Sequence, residues 1–137
     1  MSINCIRTLI EKANEICPDK IAIIDGQKQL SFGELFKKVN QIARYFSELK
    51  LESGSRIGIY SHKGSEQVIA ILALLSTEYI FVPISRLLKP EQVEHIVKDC
   101  DIKCIITDKA KIKNIDEINY NGKIVTYEAI ERDFVSF

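Results

Sequence analysis

Residues 56–107 alternate short β-rich runs with longer helical stretches. The three runs with strand composition are Arg56–Tyr60, Ile80–Ile84 and Lys103–Thr107. Between them lie one helical stretch over residues 66–77 and a second one that Pro90 opens. Strands joined by helical crossovers pair in parallel, with right-handed connections. The alternation therefore predicts an α/β fold, a mostly parallel sheet flanked by helices, rather than a barrel or a helical bundle.

Local signals predict the remaining elements. Apolar residues at helical spacing predict a helix over residues 3–16, and an Asp25-Gly26 turn between two β-rich runs predicts a hairpin. Ser31 and Glu34 fit the S-x-x-E capping box, which predicts the start of a long amphipathic helix. Residues 108–122 are a polar stretch with weak periodicity. After it, the sequence predicts a strand over residues 123–127 and a short helix from residue 128.

Every residue from Val68 to Leu75 is apolar. A helix without a polar side has to be covered on all sides. In a lone domain of this size, helices normally keep one face in water, so the run predicts a second layer of structure that this chain does not supply. A homodimer would provide the same cover.

The overall composition limits the class of protein. The chain has 137 residues, so residues 1–137 are expected to form a single α/β lobe. Its 19 basic and 19 acidic residues balance, which leaves no overall positive field to hold a nucleic acid. No apolar run approaches the roughly 20 residues that span a bilayer, and the first residues lack a signal-peptide pattern. We therefore expect a cytoplasmic protein without a membrane span.

The cysteines and histidines form no recognisable metal site. No two cysteines make a C-x-x-C pair, and neither histidine stands at a spacing that would complete a zinc site with them; the residues are Cys5, Cys17, His62, His95, Cys100 and Cys104. We expect buried, reduced thiols and no bound metal.

Candidate catalytic residues are sparse. The sequence has no dinucleotide-binding glycine loop, Walker loop, G-x-S-x-G or H-E-x-x-H motif, which disfavours a self-contained nucleotide-binding domain of flavodoxin type. His62, in a predicted loop, is either a general base or a solvated histidine. His95 lies four residues from both Glu91 and Asp99, so we expect an exposed imidazole flanked by carboxylates. A basic cluster in two loops after predicted strands either holds phosphates or is a solvated charge run: Arg86, Lys89, Lys109, Lys111 and Lys113.

Several segments carry a family resemblance. The matching segments are Pro18–Gly26, Leu30–Leu35 with Asn40–Ala43, Gly54–Ile57, and Leu74–Ser85, which reads LLSTEYIFVPIS. Together they resemble the start of the AMP-forming adenylating enzymes, a superfamily of acyl-CoA synthetases, luciferases and peptide-synthetase adenylation domains. The last segment looks like the second core motif, usually close to L-K-A-G-x-x-Y-V-P-L-D. The likeness covers about residues 18–108.

The second core motif departs from the family pattern at three positions. Ser76, Glu78 and Ser85 stand where lysine, glycine and aspartate are usual, so we expect a different local turn and do not carry the usual structural role of that aspartate over to Ser85. Further along, Leu87–Val93 with the following helical residues is similar to a group of acyl-CoA ligases associated with exosortase systems.

The resemblance implies a longer enzyme that activates a carboxylic acid with ATP to an acyl adenylate and passes the acyl group to a thiol. ATP, magnesium and coenzyme A are implied for that full-length enzyme, and none for this chain alone. The chain corresponds to the first subdomain of the amino-terminal domain, while the phosphate loop, the nucleotide-binding motifs, the hinge and the adenylation lysine lie downstream. Losing those groups forfeits most of the rate enhancement, so we expect the isolated chain to be inactive.

The resemblance also implies a partner and a ligand contact. The partner is the remainder of the adenylating enzyme, in cis or in trans. In several family members the loop after the second core motif and the next basic segment hold the nucleotide end of coenzyme A; the matching positions are Ser85, Arg86, Leu87, Lys111 and Lys113. The alternative function is a freestanding interaction module that completes or regulates a split adenylating enzyme through its apolar face.

Overall fold

A computed structural model describes residues 6–135 of the chain. Within that range the elements are α1 (Ile6–Ile16), β1 (Ile21–Asp25), β2 (Lys28–Ser31), α2 (Phe32–Ser47), β3 (Arg56–Tyr60), α3 (Ser65–Leu74), β4 (Ile80–Pro83), α4 (Pro90–Asp99), β5 (Ile102–Thr107), α5 (Ile112–Asp116), β6 (Lys123–Thr126) and α6 (Tyr127–Val135). They group into two compact units. The first holds the described residues up to Lys50 together with Gly64–Glu78, and the second holds the rest.

The first unit combines a hairpin with three helices. Strand β1 pairs antiparallel with β2, so that Ile24 lies opposite Gln29 and Asp25 opposite Lys28. Gly26 turns the chain between them with φ +60°, a left-handed conformation that glycine adopts without steric cost. The predicted hairpin is confirmed.

Helix α2 begins at the predicted capping box. Ser31 Oγ accepts a hydrogen bond from the Glu34 amide at 3.2 Å, and Glu34 Oε2 accepts one from the Ser31 amide at 3.4 Å. Two amides at the helix start therefore have partners. Leu35, Val39 and Phe46 line the buried side of the helix, as its amphipathic pattern predicts.

The N-cap residue of helix α3 is Gly64, which has no side chain that could cap the helix. The carboxylate of Asp25, at the end of β1, supplies the missing acceptor, since its Oδ2 takes a hydrogen bond from the Ser65 amide at 2.9 Å. Lys28 adds an ion pair with Glu66, with Nζ and Oε1 2.9 Å apart. The hairpin thus holds the start of α3 within the first unit.

One flank of α3 is uncovered in this chain. Ile69, Ala70, Ala73 and Leu74 are buried, whereas Val68 is 41% and Leu75 is 37% exposed. Val68 and Leu75 are seven residues apart, two helical turns, and therefore lie on the same side of the helix. The all-apolar run is thus only partly covered here.

The second unit is built on a four-stranded parallel sheet. The strand order is β4-β3-β5-β6, with Ile57 opposite both Phe81 and Cys104, and Ile105 opposite Ile124. Parallel pairing brings the carboxyl ends of all four strands to one edge, and the loops after them carry the candidate chemistry. The predicted α/β fold with a mostly parallel sheet is confirmed.

Helices α4 and α5 contribute to the core of this unit. Val93 and Val97 of α4 and Ile115 of α5 are buried with three sheet residues and with the residue that follows β4: Tyr60, Ile102, Ile105 and Ile84. Burying an aliphatic side chain of this size contributes roughly 1.5–3 kcal/mol. Gly58 in β3 leaves room for the close packing, because a Cβ there would lie 3.1 Å from Ile84 Cδ1 and 3.3 Å from Ile102 Cγ2.

Some predicted boundaries differ from the structure. Residues 3–5 of the first predicted helix lie outside the described range. Helix α5 falls inside the polar stretch 108–122, for which no element was expected. The strand and short helix predicted after that stretch are confirmed as β6 and α6. Between residues 6 and 135, no helix is long and apolar enough to cross a membrane.

Candidate functional site

The two central strands of the parallel sheet end in a histidine and an aspartate that hydrogen bond to each other. His62 follows β3 and Asp108 follows β5. His62 Nδ1 lies 2.6 Å from Asp108 Oδ2, and the His62 amide donates to the same oxygen at 2.9 Å. The carboxylate side chain is 3% exposed and the imidazole 48%. A buried acceptor therefore fixes a ring that faces solvent.

Three hydrogen bonds keep the Asp108 carboxylate ionised. Burial by itself would raise the pKa of Asp108, but the hydrogen bonds from the His62 amide, the His62 ring and the Lys111 amide together hold it below its ordinary value. The Lys111 amide donates to Oδ1 at 2.9 Å, so both carboxylate oxygens have partners. Asp108 thus joins the loop after β3 to the loop after β5.

Buried polar contacts support the same edge of the sheet. The Ser61 and Tyr127 hydroxyls lie 2.9 Å apart, which connects the loop after β3 to the start of α6. Asn114 donates from Nδ2 to the Tyr60 hydroxyl at 2.9 Å, and Lys111 Nζ lies 6.0 Å from the centre of the Tyr60 ring. Satisfied buried hydrogen bonds of this kind limit the movement of the loops that carry His62 and Asp108.

The structure brings the predicted basic segments together in part. Ser85, Arg86 and Leu87 lie exposed in the loop after β4. Lys111 Nζ donates to the Arg86 carbonyl oxygen at 3.1 Å, so the loop after β4 and the loop after β5 are in contact. Lys113 is exposed on α5. The coenzyme A contact at the five positions stays a prediction.

Sequence reasoning missed Asp108 and Glu128. Asp108 belongs to a polar stretch in which no acidic residue was singled out, although its position directly after a buried strand places it at the carboxyl edge. Glu128, in the first turn of α6, has a buried Oε2 for which the described part of the chain offers no hydrogen-bond partner, while the Lys109 amide approaches its Oε1 at 3.5 Å. His95 is exposed on α4, as expected.

The cysteines differ in burial. Cys104 is buried in β5, and burial raises the pKa of its thiol to about 12, an effect that Lys123 partly opposes. Cys17 and Cys100 are half-buried, so full burial of the thiols is confirmed for Cys104 and is wrong for these two. Burial and the neighbouring Cys104 also raise the pKa of Tyr120. Cys5 lies outside the described range.

Neither the possible metal ligands of residues 6–135 nor the surface depression beside β5 adds a second candidate site. Across residues 6–135 there is no group of three histidine, cysteine, aspartate or glutamate side chains that could hold a metal ion. A surface depression lined by residues that include Val97, Asp101, Lys103 and Tyr120 lies beside the amino end of β5. It is therefore at the opposite end of that strand from Asp108.

Comparison with known proteins establishes the family. The family model described as AMP-binding enzyme matches residues 10–136, nearly the whole chain. The chain belongs to the AMP-binding enzyme family. This confirms the resemblance to adenylating enzymes that the motifs between residues 18 and 108 carry.

Relatives within the AMP-binding enzymes are much longer than this chain. Tyrocidine synthase 1 from Brevibacillus parabrevis is 32% identical over 128 residues, which make up 93% of this chain and 12% of that protein. The chain therefore spans about an eighth of the length of this relative.

Solved structures of AMP-binding enzymes share the fold. The N-terminal subdomain of Klebsiella oxytoca NpsA, in complex with 3-hydroxybenzoyl-AMSN, has a TM-score of 0.84 at 15% identity and matches 97% of this chain and 34% of its own. The nonribosomal peptide synthetase FmoA3, bound to α-methyl-L-serine-AMP, has a TM-score of 0.80 at 17% identity and matches 92% of this chain and 14% of its own. The fold corresponds to the amino-terminal part of an adenylation enzyme.

Proposed function

We propose that this chain forms the amino-terminal part of an adenylation domain that activates a carboxylic acid with ATP and passes the acyl group to a thiol. The observation that carries this proposal is the match of the AMP-binding enzyme family to residues 10–136. The parallel sheet, with its polar carboxyl edge, supports it, because ligands of α/β folds bind outside the carboxyl ends of the strands.

The relatives favour an amino acid as the activated acid. Tyrocidine synthase 1 is a peptide synthetase, and the FmoA3 structure holds an aminoacyl adenylate. NpsA was solved with a hydroxybenzoyl ligand, so an aryl acid is the second substrate class to test. The acyl-CoA synthetase and exosortase-associated assignments are finer than the relatives support, and they stay predictions.

We propose further that the isolated chain does not catalyse adenylation. Residues 6–135 hold no carboxylate cluster suited to magnesium, and the sequence has no Ser/Thr/Gly-rich phosphate loop. Phosphoryl chemistry depends on such groups for most of its rate. Purified chain, given ATP, magnesium and each of the two acid classes, is expected to release no pyrophosphate above a blank. Release that depends on the acid would contradict this.

A chimera tests the adenylation proposal directly. This chain would replace the aligned segment of the tyrocidine synthase 1 adenylation domain, to which it is 32% identical. Amino-acid-dependent exchange of pyrophosphate into ATP above that of the deletion protein is the expected result. The control is the same domain with its own segment reinserted through identical junctions. A soluble, folded chimera with no exchange, beside an active control, would count against the proposal.

The uncovered flank of α3 favours the alternative function, an interaction module that works in trans. Val68 and Leu75 expose apolar surface that the remainder of an adenylation domain would cover. Mixing this chain with the deletion protein is expected to restore exchange if separate chains assemble. Restoration by the covalent chimera alone would favour a role in cis.

A homodimer formed through the uncovered flank of α3 is an alternative to assembly with the rest of an adenylation domain, whether in cis or in trans. Light scattering over a wide concentration range is expected to show self-association that Leu75→Ser weakens. A strict monomer throughout would exclude the homodimer and leave the rest of the enzyme as the proposed partner.

The coenzyme A contact is a proposal about the acceptor. Arg86, Lys111 and Lys113 supply cations of the kind that bind phosphates, and the Lys111 contact with the Arg86 carbonyl brings two of the segments together. Titration with labelled coenzyme A is expected to show binding that Arg86→Ala weakens. Equal binding by both proteins would end this assignment, and a carrier-protein thiol would become the acceptor to test.

A further inference from the structure

His62 is set apart from the other histidine of the chain by its hydrogen bonding. Its Nδ1 lies 2.6 Å from the buried Asp108 carboxylate, whose second oxygen is held by the Lys111 amide. An ionised carboxylate only accepts hydrogen bonds, so in the neutral ring the proton resides on Nδ1. The lone pair is then on Nε2, which has no hydrogen-bond partner within residues 6–135.

The second histidine provides an internal comparison. His95 is exposed on α4, and no described carboxylate is bonded to its ring. A solvated imidazole exchanges freely between its two neutral tautomers, and among residues 6–135 no carboxylate is hydrogen-bonded to the His95 ring to balance a cation formed on it. Both histidines are accessible to solvent, and they differ in that the His62 ring is hydrogen-bonded to a buried carboxylate, Asp108.

We propose that Nε2 of His62 is an acyl-acceptor site for mixed anhydrides of the acyl adenylate class, with Asp108 as the positioning residue. The proposal rests on the proposed function only for the source of the acyl adenylate. In the reaction, the Nε2 lone pair forms a bond to the acyl carbon and the bond from that carbon to the phosphate oxygen breaks. AMP leaves with the electron pair, and the acyl-imidazolium keeps the proton on Nδ1, where it is hydrogen-bonded to the ionised Asp108. When water or a thiol then attacks the acyl carbon, the bond from that carbon to Nε2 breaks, the proton of the attacking group is released to solvent, and the neutral imidazole is restored.

The surroundings of His62 favour this role over that of Cys104, the buried thiol of the same unit. Asp108 lies opposite the ring nitrogen that carries the proton, so its charge stabilises the cation formed on acylation. Cys104 is buried, and its raised pKa keeps it a thiol rather than a reactive thiolate. The ring itself is 48% exposed, which leaves Nε2 open to a small electrophile.

The first arm of the test uses a synthetic anhydride and needs no enzyme activity. Purified chain would be treated with diethyl pyrocarbonate at about pH 8, above the ordinary histidine pKa of roughly 6.5. Peptide mass spectrometry would give the carbethoxylation rate at each histidine. We expect His62 to react at least about threefold faster than His95, a modest factor because the ring is partly solvated. Equal rates, or a faster His95, would overturn the proposal.

The second arm asks whether the charge of Asp108 is responsible. In Asp108→Asn the His62 rate is expected to fall to that of His95, while His95 itself is unchanged. Long-range nitrogen-proton NMR of the wild-type protein measures the tautomer independently and needs no variant. A neutral His62 ring with its proton on Nε2 would overturn the proposal even if the variant fails to fold.

The third arm uses acetyl adenylate as the probe. We expect acetyl transfer to His62, seen as an acetylated peptide or as faster AMP release that His62→Gln abolishes and His95→Gln does not. Fast carbethoxylation without any reaction with acetyl adenylate would overturn the acyl-acceptor role and leave the proposed adenylation function intact. Failure of the chimera experiment with success here would reject the adenylation function instead.

Discussion

Removing the Asp108 carboxylate should destabilise the second unit more than any other single acidic substitution at the carboxyl edge. The buried side chain accepts hydrogen bonds from the His62 amide, the His62 ring and the Lys111 amide. A hydrogen bond to a charged group contributes roughly 1.5–3 kcal/mol. The two amide bonds alone therefore amount to about 3–6 kcal/mol, reduced where water reaches the freed amides. We expect Asp108→Ala to lower the free energy of unfolding by about 3 kcal/mol.

Urea unfolding followed by circular dichroism measures this loss, and amide hydrogen exchange at His62 and Lys111 localises it. Asp116→Ala is the matched control, because Asp116 is exposed on α5 and should change stability by less than about 0.5 kcal/mol. A loss below about 1 kcal/mol for Asp108→Ala, with unchanged exchange at both amides, would refute the reasoning.

The pH dependence gives a second measurement of the same carboxylate. Because folding lowers the pKa of Asp108 below the ordinary value of 3.8, its stabilisation is fully present above that pH and is lost as the pH falls through the lowered pKa. The stability difference between wild type and Asp108→Asn should therefore shrink as the pH falls below 3.8. A difference that persists unchanged in acid would contradict a charged Asp108.

Three further outcomes follow from the structure. Burial raises the pKa of the Cys104 thiol to about 12, so Cys104 should not react with a disulfide reagent until the protein unfolds, whereas Cys17 and Cys100 react in the native state. Mass spectrometry measures the order of labelling, and modification of Cys104 in the folded protein would contradict this. Gly58→Ala should cost about 1–3 kcal/mol in urea unfolding, because its Cβ meets two isoleucine side chains; a neutral effect would show that they move aside. Ser31→Ala should cost about 1 kcal/mol and Ser31→Thr much less, and equal losses would argue against the capping box.

Features that depend on neighbouring residues could be predicted from the sequence. The capping box of Ser31 and Glu34 spans four residues, and the Asp25-Gly26 turn is set by the left-handed conformation of Gly26. The alternation that predicts a parallel sheet is likewise a local pattern repeated along the chain. The strand order β4-β3-β5-β6 is not local, because several orders satisfy the same alternation.

The candidate site depends on contacts between distant residues. His62 and Asp108 are 46 residues apart, and neither residue has a flanking motif that indicates the other. Helix α5 escaped prediction because it is five residues long and its N-cap, Lys111, makes no side-chain capping bond. The contact between Lys111 and the Arg86 carbonyl places two predicted basic segments side by side, which their composition alone could not establish.

The two units are interleaved along the polypeptide, and this affects how it could be shortened. The chain passes from one unit to the other at Lys50, Lys63 and Glu78. Stopping at Lys50 deletes α3, and starting at Leu51 deletes the hairpin whose Asp25 caps that helix. A single proteolytic cut therefore cannot separate the two units with each one complete. A fragment that contains only one unit would have to be made by joining its separate segments, because no truncation from either end removes the whole of one unit and leaves the other complete.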